Sequence, residues 1–172
     1  MNLFKFISIL SSDPEKKVGY ILNKNRLSVS TAESCTGGLV SSLLTDVSGS
    51  SAYITENIVT YSNEAKVKYL CVNRETLARY GAVSEQTANE MANGLIKQTK
   101  SDYAVVTTGI AGPAGGTHEK PVGLMYIGLA NKNSCKIIKV LAWKFLPRKI
   151  MKKYFAKIAL IELYNFVEKD LK

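Results

Sequence analysis

Between Ser84 and Ile110 the chain places a core-facing helix directly before a buried strand, and this pair restricts the fold more than any other stretch. In "SEQTANEMANGLIKQTK" the apolar residues Ala88, Met91, Ala92, Leu95 and Ile96 recur at the i, i+3, i+4, i+7, i+8 spacing of one helix face. Ser84 stands where an N-cap belongs. "DYAVVTTGI" follows as a strand of buried type. The same alternation runs through most of the chain. Asp13 as cap and Pro14 at the first helical position open a helix to about Asn23. "RLSVSTA" reads as a strand of about six residues. Gly37 and Gly38 then turn the chain into a helix ending near "SGSS". "AYITENIVTYS" gives one or two short strands, "NEAKVKYLCV" a turn or two of helix, and "NRETLARYG" a short helix stopped by Gly81. After the loop "AGPAGGTHEKP", the runs "VGLMYIGLA" and "CKIIKVLAWKF" form a hairpin across "NKNS", and Pro147 starts a last helix to about Glu168. Alternation that ends in a hairpin predicts an α/β layered fold with a mixed sheet.

At 172 residues, 46% of them hydrophobic, the chain can bury a full core and is read as one domain, residues 1–172. No apolar run reaches the roughly 18 residues of a membrane span, and "MNLFKFISILSS" lacks the basic leader and small-residue cleavage site of a signal peptide. Cys35, Cys71 and Cys135 are odd in number and widely spaced, which fits a reducing cytoplasm and neither a disulfide framework nor a zinc site. The charge is uneven. Of the net +9, residues 132–172 carry eleven Lys/Arg against three Asp/Glu. Such a segment attracts nucleic acid or an anionic membrane, forms a solvated helix face, or lends one cation to an anionic small substrate. The solvated face is the commonest of these.

A single histidine, His118, lies in a glycine-rich loop, so a histidine-based metal site or a rigid Ser–His–Asp triad has no material. A GxGxxG fingerprint and a P-loop are both missing. Lysine and tyrosine remain as groups that activate a hydroxyl. In "TYSNEAK", Tyr61 and Ser62 end a strand and Lys66 falls in the first turn of a helix, where the macrodipole opposes an ammonium. Lysines at helix starts are often simply solvated and strand-end tyrosines usually belong to the core, so this motif taken alone favours a structural role. "TAESCTGGLVSSL" offers Ser34 as nucleophile, with Cys35 as a rival that has no neighbouring base. Gly37 and Gly38 supply either an oxyanion or phosphate cradle or simply a tight turn for strand–helix packing.

Three stretches taken together, "TAESCTGG", "VTYSNEAK" with the following "ETLARYGAVSE", and "TGIAGPAGGTHEKPVG", closely resemble the nicotinamide-nucleotide amidohydrolases. That domain also forms the C-terminus of competence/damage-inducible protein A (CinA). The likeness spans roughly Val29 to Leu129. It implies a stand-alone three-layer α/β/α sandwich, cytoplasmic and homo-oligomeric, that hydrolyses nicotinamide mononucleotide to nicotinate mononucleotide and ammonia without metal or cofactor. It also implies roles: Ser34 as nucleophile, Tyr61 and Lys66 assisting it, and the N–H groups of Thr36, Gly37 and Gly38 holding the oxyanion. Thr108 and Gly109 then shape the nucleotide pocket, and Arg148 clamps the phosphate.

One segment departs from the family. A small residue and a glycine precede the clamping arginine there, whereas this chain has Leu146 and Pro147 in "KFLPRKIMKKY". The proline stiffens the approach and removes a backbone donor. A pyridine-nucleotide-binding module without turnover is therefore the second reading. A nucleic-acid role through the basic segment ranks last, since that segment holds no recognisable nucleic-acid motif.

Overall fold

A computed structural model describes residues 2–172. Five strands form one mixed sheet in the order β2-β1-β3-β4-β5. They are β1 (Val29–Glu33), β2 (Ile54–Val59), β3 (Tyr103–Gly109), β4 (Leu124–Asn131) and β5 (Cys135–Leu141). β1 runs parallel to both β2 and β3, whereas β3–β4 and β4–β5 are antiparallel. Helices α1 (Leu3–Ser11), α2 (Pro14–Asn25), α3 (Leu39–Thr45) and α7 (Arg148–Asp170) cover one face. The other face carries α4 (Asn63–Leu70), α5 (Arg74–Tyr80) and α6 (Glu85–Thr99). This is the three-layer sandwich with a mixed sheet that the alternation of elements predicts.

The strand pleat sorts the core into two halves. Tyr103 and Val105 of β3 join Met125, Ile127 and Leu129 of β4 under α7, with Phe155, Leu160 and Leu163. Ala104, Val106 and Ala130 face the opposite way, onto Met91, Ala92 and Leu95 of α6. Small residues permit that second contact. A Cβ on Gly94 of α6 would lie 1.8 Å from the Leu70 carbonyl oxygen, so α4 and α6 cross here only because the side chain is absent.

Most element ends follow the sequence reading, and the exceptions have local causes. α2 runs on to Asn25 because Arg26 adopts the left-handed conformation (φ 56°) as its C-cap, so β1 begins only at Val29. The Asp13 side chain does not cap α2; it pairs with Lys16 at 2.7 Å. β5 ends at Leu141 and does not extend to Phe145. Trp143 instead leaves the sheet to pack on Phe6 and stack on Phe145. The first residues form α1, and no described helix is long and apolar enough to cross a membrane.

Chain order fixes where a ligand can sit. From β1 the chain crosses one face through α3 to β2, then crosses the other through α4–α6 to β3. The order therefore reverses at β1, and the crevice beyond the carboxyl ends of β1 and β3 is the topological switch point of an open α/β sheet.

Candidate active site

The strand ends deliver the side chains. Ser34 is the first residue past β1, and its N–H donates to Thr107 O of β3 at 3.0 Å. On the other side, Thr60 N donates to Glu33 O at 2.8 Å, which holds the segment after β2 against β1. Ser62 then caps α4 by accepting from Ala65 N at 3.0 Å, and this sets Lys66 on the first turn, pointing inward. Lys66 is only 1% exposed. Its Nζ donates to Thr60 O at 2.8 Å and stands 3.1 Å from Ser34 Oγ.

No carboxylate pairs with that amine among the described residues. Burial pushes it from the ordinary lysine range down to about 8, and the first-turn position acts in the same direction. A lysine in this state is neutral in a minor but usable fraction near pH 7, and that fraction accepts a proton from a hydroxyl within hydrogen-bond reach. The neighbouring thiol is tuned the opposite way. Burial raises Cys35 to about 12, so it stays a protonated thiol.

A cavity of about 280 Å³ opens onto Ser34 and Lys66, with Tyr61, Thr108, Gly109 and Arg148 also in its walls. A larger one, about 620 Å³, lies at the opposite end of the sheet around Lys97, Asp102 and Asn131, and holds none of these groups. Chemistry, not size, marks the smaller cavity. No cluster of three or more His, Cys, Asp or Glu side chains able to hold a metal ion occurs among the described residues.

The other residues singled out in the sequence are distributed less simply. Tyr61 offers its carbonyl, not its hydroxyl, toward Lys66, at 3.5 Å. Tyr61 is 64% exposed, and its phenol accepts from Arg148 Nη2 at 3.1 Å, while Arg148 Nη1 donates to Gly112 O at 2.8 Å. Thr108 Oγ1 donates to Ala82 O at 2.7 Å and fixes the cavity floor. Thr36, Gly37 and Gly38, which the resemblance gives as the oxyanion cradle, are not among the residues lining the cavity. The Thr36 hydroxyl pairs with Thr107 Oγ1 at 2.7 Å, and both glycines have positive φ.

Glu33, which precedes Ser34 and holds the turn behind it, is a residue that the sequence reading passed over. Its fully buried carboxylate accepts from Gly38 N (3.0 Å), Val40 N (3.1 Å), Ser41 N (2.8 Å) and Ser41 Oγ (2.6 Å). The glycine turn's later amides are thus held by the protein itself. Those of Cys35, Thr36 and Gly37 meet no acceptor among the described residues. A signal existed: an acidic residue closing a buried strand immediately before a Gly-Gly turn into a helix has those helix donors as natural partners.

The CinA C-terminal domain model matches residues 11–167, nearly the whole chain. The chain belongs to the CinA C-terminal domain family. Among relatives, the CinA-like protein of Chlorobium limicola is 48% identical over 157 residues, 90% of this chain and 37% of that protein. The CinA-like protein of Chloroherpeton thalassium is 59% identical over 116 residues, 67% of this chain and 28% of its own length. The chain thus spans about a third of the curated CinA-like proteins it matches. Solved structures cover it more evenly. The competence/damage-inducible protein CihA of Agrobacterium tumefaciens superposes with a TM-score of 0.83 at 40% identity, over 88% of this chain and 94% of that one. The competence damage-inducible protein A of Klebsiella pneumoniae gives 0.84 at 29% identity, over 88% and 93%.

Proposed function

We propose that this CinA-family domain hydrolyses the carboxamide of nicotinamide mononucleotide to the carboxylate, releasing ammonia. The observation that carries this reading is the Lys66 amine, lowered by burial to about 8 and 3.1 Å from Ser34 Oγ at the wall of a cavity of about 280 Å³. Neutral Lys66 takes the hydroxyl proton as Ser34 Oγ attacks the carboxamide carbon. The oxyanion collects on the Cys35 amide, which has no acceptor among the described residues and belongs to a residue lining the cavity. Collapse breaks the C–N bond, and the Lys66 ammonium returns its proton to the departing nitrogen, which leaves as ammonia. Water, deprotonated by the same amine, then attacks the acyl-enzyme and frees Ser34 and the nicotinate product. Tyr61 assists from the mouth, where its phenol holds Arg148 for the substrate phosphate. The direct Ser34–Lys66 contact lets the amine take the hydroxyl proton without passing it through the Tyr61 phenol.

Purified protein incubated with nicotinamide mononucleotide is expected to release one ammonia per nicotinate mononucleotide formed, and Ser34→Ala to release none while retaining its circular dichroism. Pyridine-nucleotide binding without ammonia release from the unaltered protein would make the domain a binding module and remove the hydrolase.

A further inference from the structure

Apart from Arg148, the basic C-terminal segment takes no part in the reaction, and the start of it lies beside apolar side chains left in solvent. α1 turns Phe6 and Ile9 inward and leaves Leu3, Phe4 and Ile7 exposed, Phe4 at 85%. The inward Phe6 meets Trp143 at 5.2 Å and Tyr154 of α7 at 5.1 Å between ring centroids, so α1 lies alongside the stretch that joins β5 to α7. Trp143 in turn stacks on Phe145, which is 76% exposed. Ile150 stands one turn before Tyr154 on α7 and is exposed as well. α1 lies almost wholly before residues 11–167, the part that the family model matches, so the family's own chemistry does not account for this face.

The charge around it has one sign. The two stretches that meet here, residues 2–12 and 143–161, hold seven Lys/Arg and no Asp or Glu. Lys5, Lys144, Lys149 and Lys153 are exposed and form no ion pair among the described residues. A second copy docking by this face would set these cations against themselves. Nucleic acid would take the lysines and leave Leu3, Phe4 and Ile7 in water. At their exposure, Phe4 and Phe145 project from the surface and do not line the groove that an acidic peptide requires. A bilayer interface needs no groove. It admits projecting apolar groups to a depth of roughly 5–10 Å and pairs anionic headgroups with the lysines around them.

We propose that the face formed by α1 and residues 143–153 binds the surface of an anionic phospholipid bilayer, with Phe4, Ile7 and Phe145 entering the headgroup layer and Lys5, Lys149 and Lys153 pairing with lipid phosphates. Neither contact suffices alone. A nine-residue helix with three exposed apolar side chains buries too little for stable insertion. A few lysines draw the protein to an anionic surface without holding it there at physiological salt. Together they give reversible, salt-sensitive attachment, and none of the described helices is long and apolar enough to cross the bilayer. The attachment is independent of the hydrolase reading, since none of the inserting or pairing side chains is Ser34, Lys66 or Arg148.

The test mixes the full chain with vesicles and follows sedimentation together with the emission of Trp143, the one tryptophan of the chain. Trp143 lies between buried Phe6 and exposed Phe145, so its emission reports when this face leaves water. With phosphatidylcholine vesicles containing about 30% phosphatidylglycerol, the protein is expected to sediment and its emission to shift to the blue. Pure phosphatidylcholine should bind it at least about tenfold more weakly, and about 0.5 M salt should release it. Phe4→Ser with Ile7→Ser, and separately Lys149→Glu with Lys153→Glu, should each weaken binding at least about tenfold with an unchanged circular dichroism spectrum. Tyr69→Ser, which removes an exposed aromatic from α4 on the opposite face, should leave binding as it is. No sedimentation with the anionic vesicles at low salt overturns the proposal. Binding that survives Phe4→Ser with Ile7→Ser, with Trp143 emission unmoved, overturns it too, because only a surface attraction is then left. A dimer by light scattering that the same double variant dissolves assigns the face to a second copy, and duplex DNA bound in preference to vesicles assigns the lysines to nucleic acid. Either result overturns the bilayer.

Discussion

Lys66 Nζ lies 3.1 Å from Ser34 Oγ, although 32 residues separate the two in sequence. Parallel pairing of β1 with β2 brings their ends level, and a serine cap then rotates the lysine inward. Neither residue reaches the other by local structure alone, so their meeting depends on the sheet register, and its chemistry depends on the dry setting of the amine.

The amine sets the pH dependence. With Lys66 held at about 8, only about a tenth is neutral at pH 7 and most is neutral by pH 9. Ammonia release from the mononucleotide should rise close to tenfold per pH unit below 8 and level off above it. A profile of kcat/KM from pH 6 to 9.5 checks this. A flat profile, or one that falls as pH rises toward 8, excludes Lys66 as the base.

Stability should respond with a definite sign. The unfolded amine holds its proton up to the usual 10.5, while the folded amine releases it near 8. Between those values the unfolded state binds more protons, so native stability rises with pH across the window. Below pH 8, burying the charged amine costs roughly 1–3 kcal/mol. Lys66→Met removes that cost and the bonds to Ser34 and Thr60 together. The expected net effect at pH 7 is a Tm higher by about 2–4 °C, shrinking by pH 10, with ammonia release abolished. Thermal unfolding at the two pH values is the check, and a lower Tm at pH 7 counts against the desolvated amine.

Layer order and strand identity were legible in the sequence because both follow from periodicity, as in Ala88–Ile96 of α6 and Tyr103–Val106 of β3. Ser34 and Lys66 stood out by elimination, since the chain has one histidine and no metal motif. What escaped were relationships set only in three dimensions. The Tyr61 phenol turns to Arg148, 87 residues away, while its own carbonyl faces Lys66. Amides at Gly38, Val40 and Ser41 that look available in sequence are taken by Glu33, whose burial depends on both neighbouring strands.

Ser34 and Cys35 are neighbours, and chemistry should separate them cleanly. Burial holds Cys35 near 12 and thus unreactive, whereas Cys71 is exposed. Iodoacetamide at pH 8 should label Cys71 well before Cys35, as peptide mass mapping will show. Cys35→Ala should keep activity within about threefold, and Ser34→Ala should lose at least about a thousandfold. The reverse pattern would make the thiol the nucleophile.

Glu33 joins fold and function most directly. It is a carboxylate without exposure or cation partner, stabilised by three backbone amides and the Ser41 hydroxyl. That oxygen also lies 2.6 Å from Thr31 Oγ1, which is 3.0 Å from the Asn57 side-chain amide, so the network ties α3 to β1 and β2. Glu33→Gln preserves shape but turns one acceptor into a donor, leaving either the Gly38 and Val40 amides or the Ser41 pair facing an N–H. The expected loss is about 2–4 kcal/mol, read as a lower urea midpoint with an unchanged m-value. Function should suffer separately from stability. At a temperature where the variant is fully folded, a looser turn misplaces Ser34 and the free amides that follow it. kcat should therefore fall at least about tenfold while KM moves little. A destabilised variant with the parent kcat would confine Glu33 to holding the fold, and a variant as stable as the parent would contradict the buried network itself.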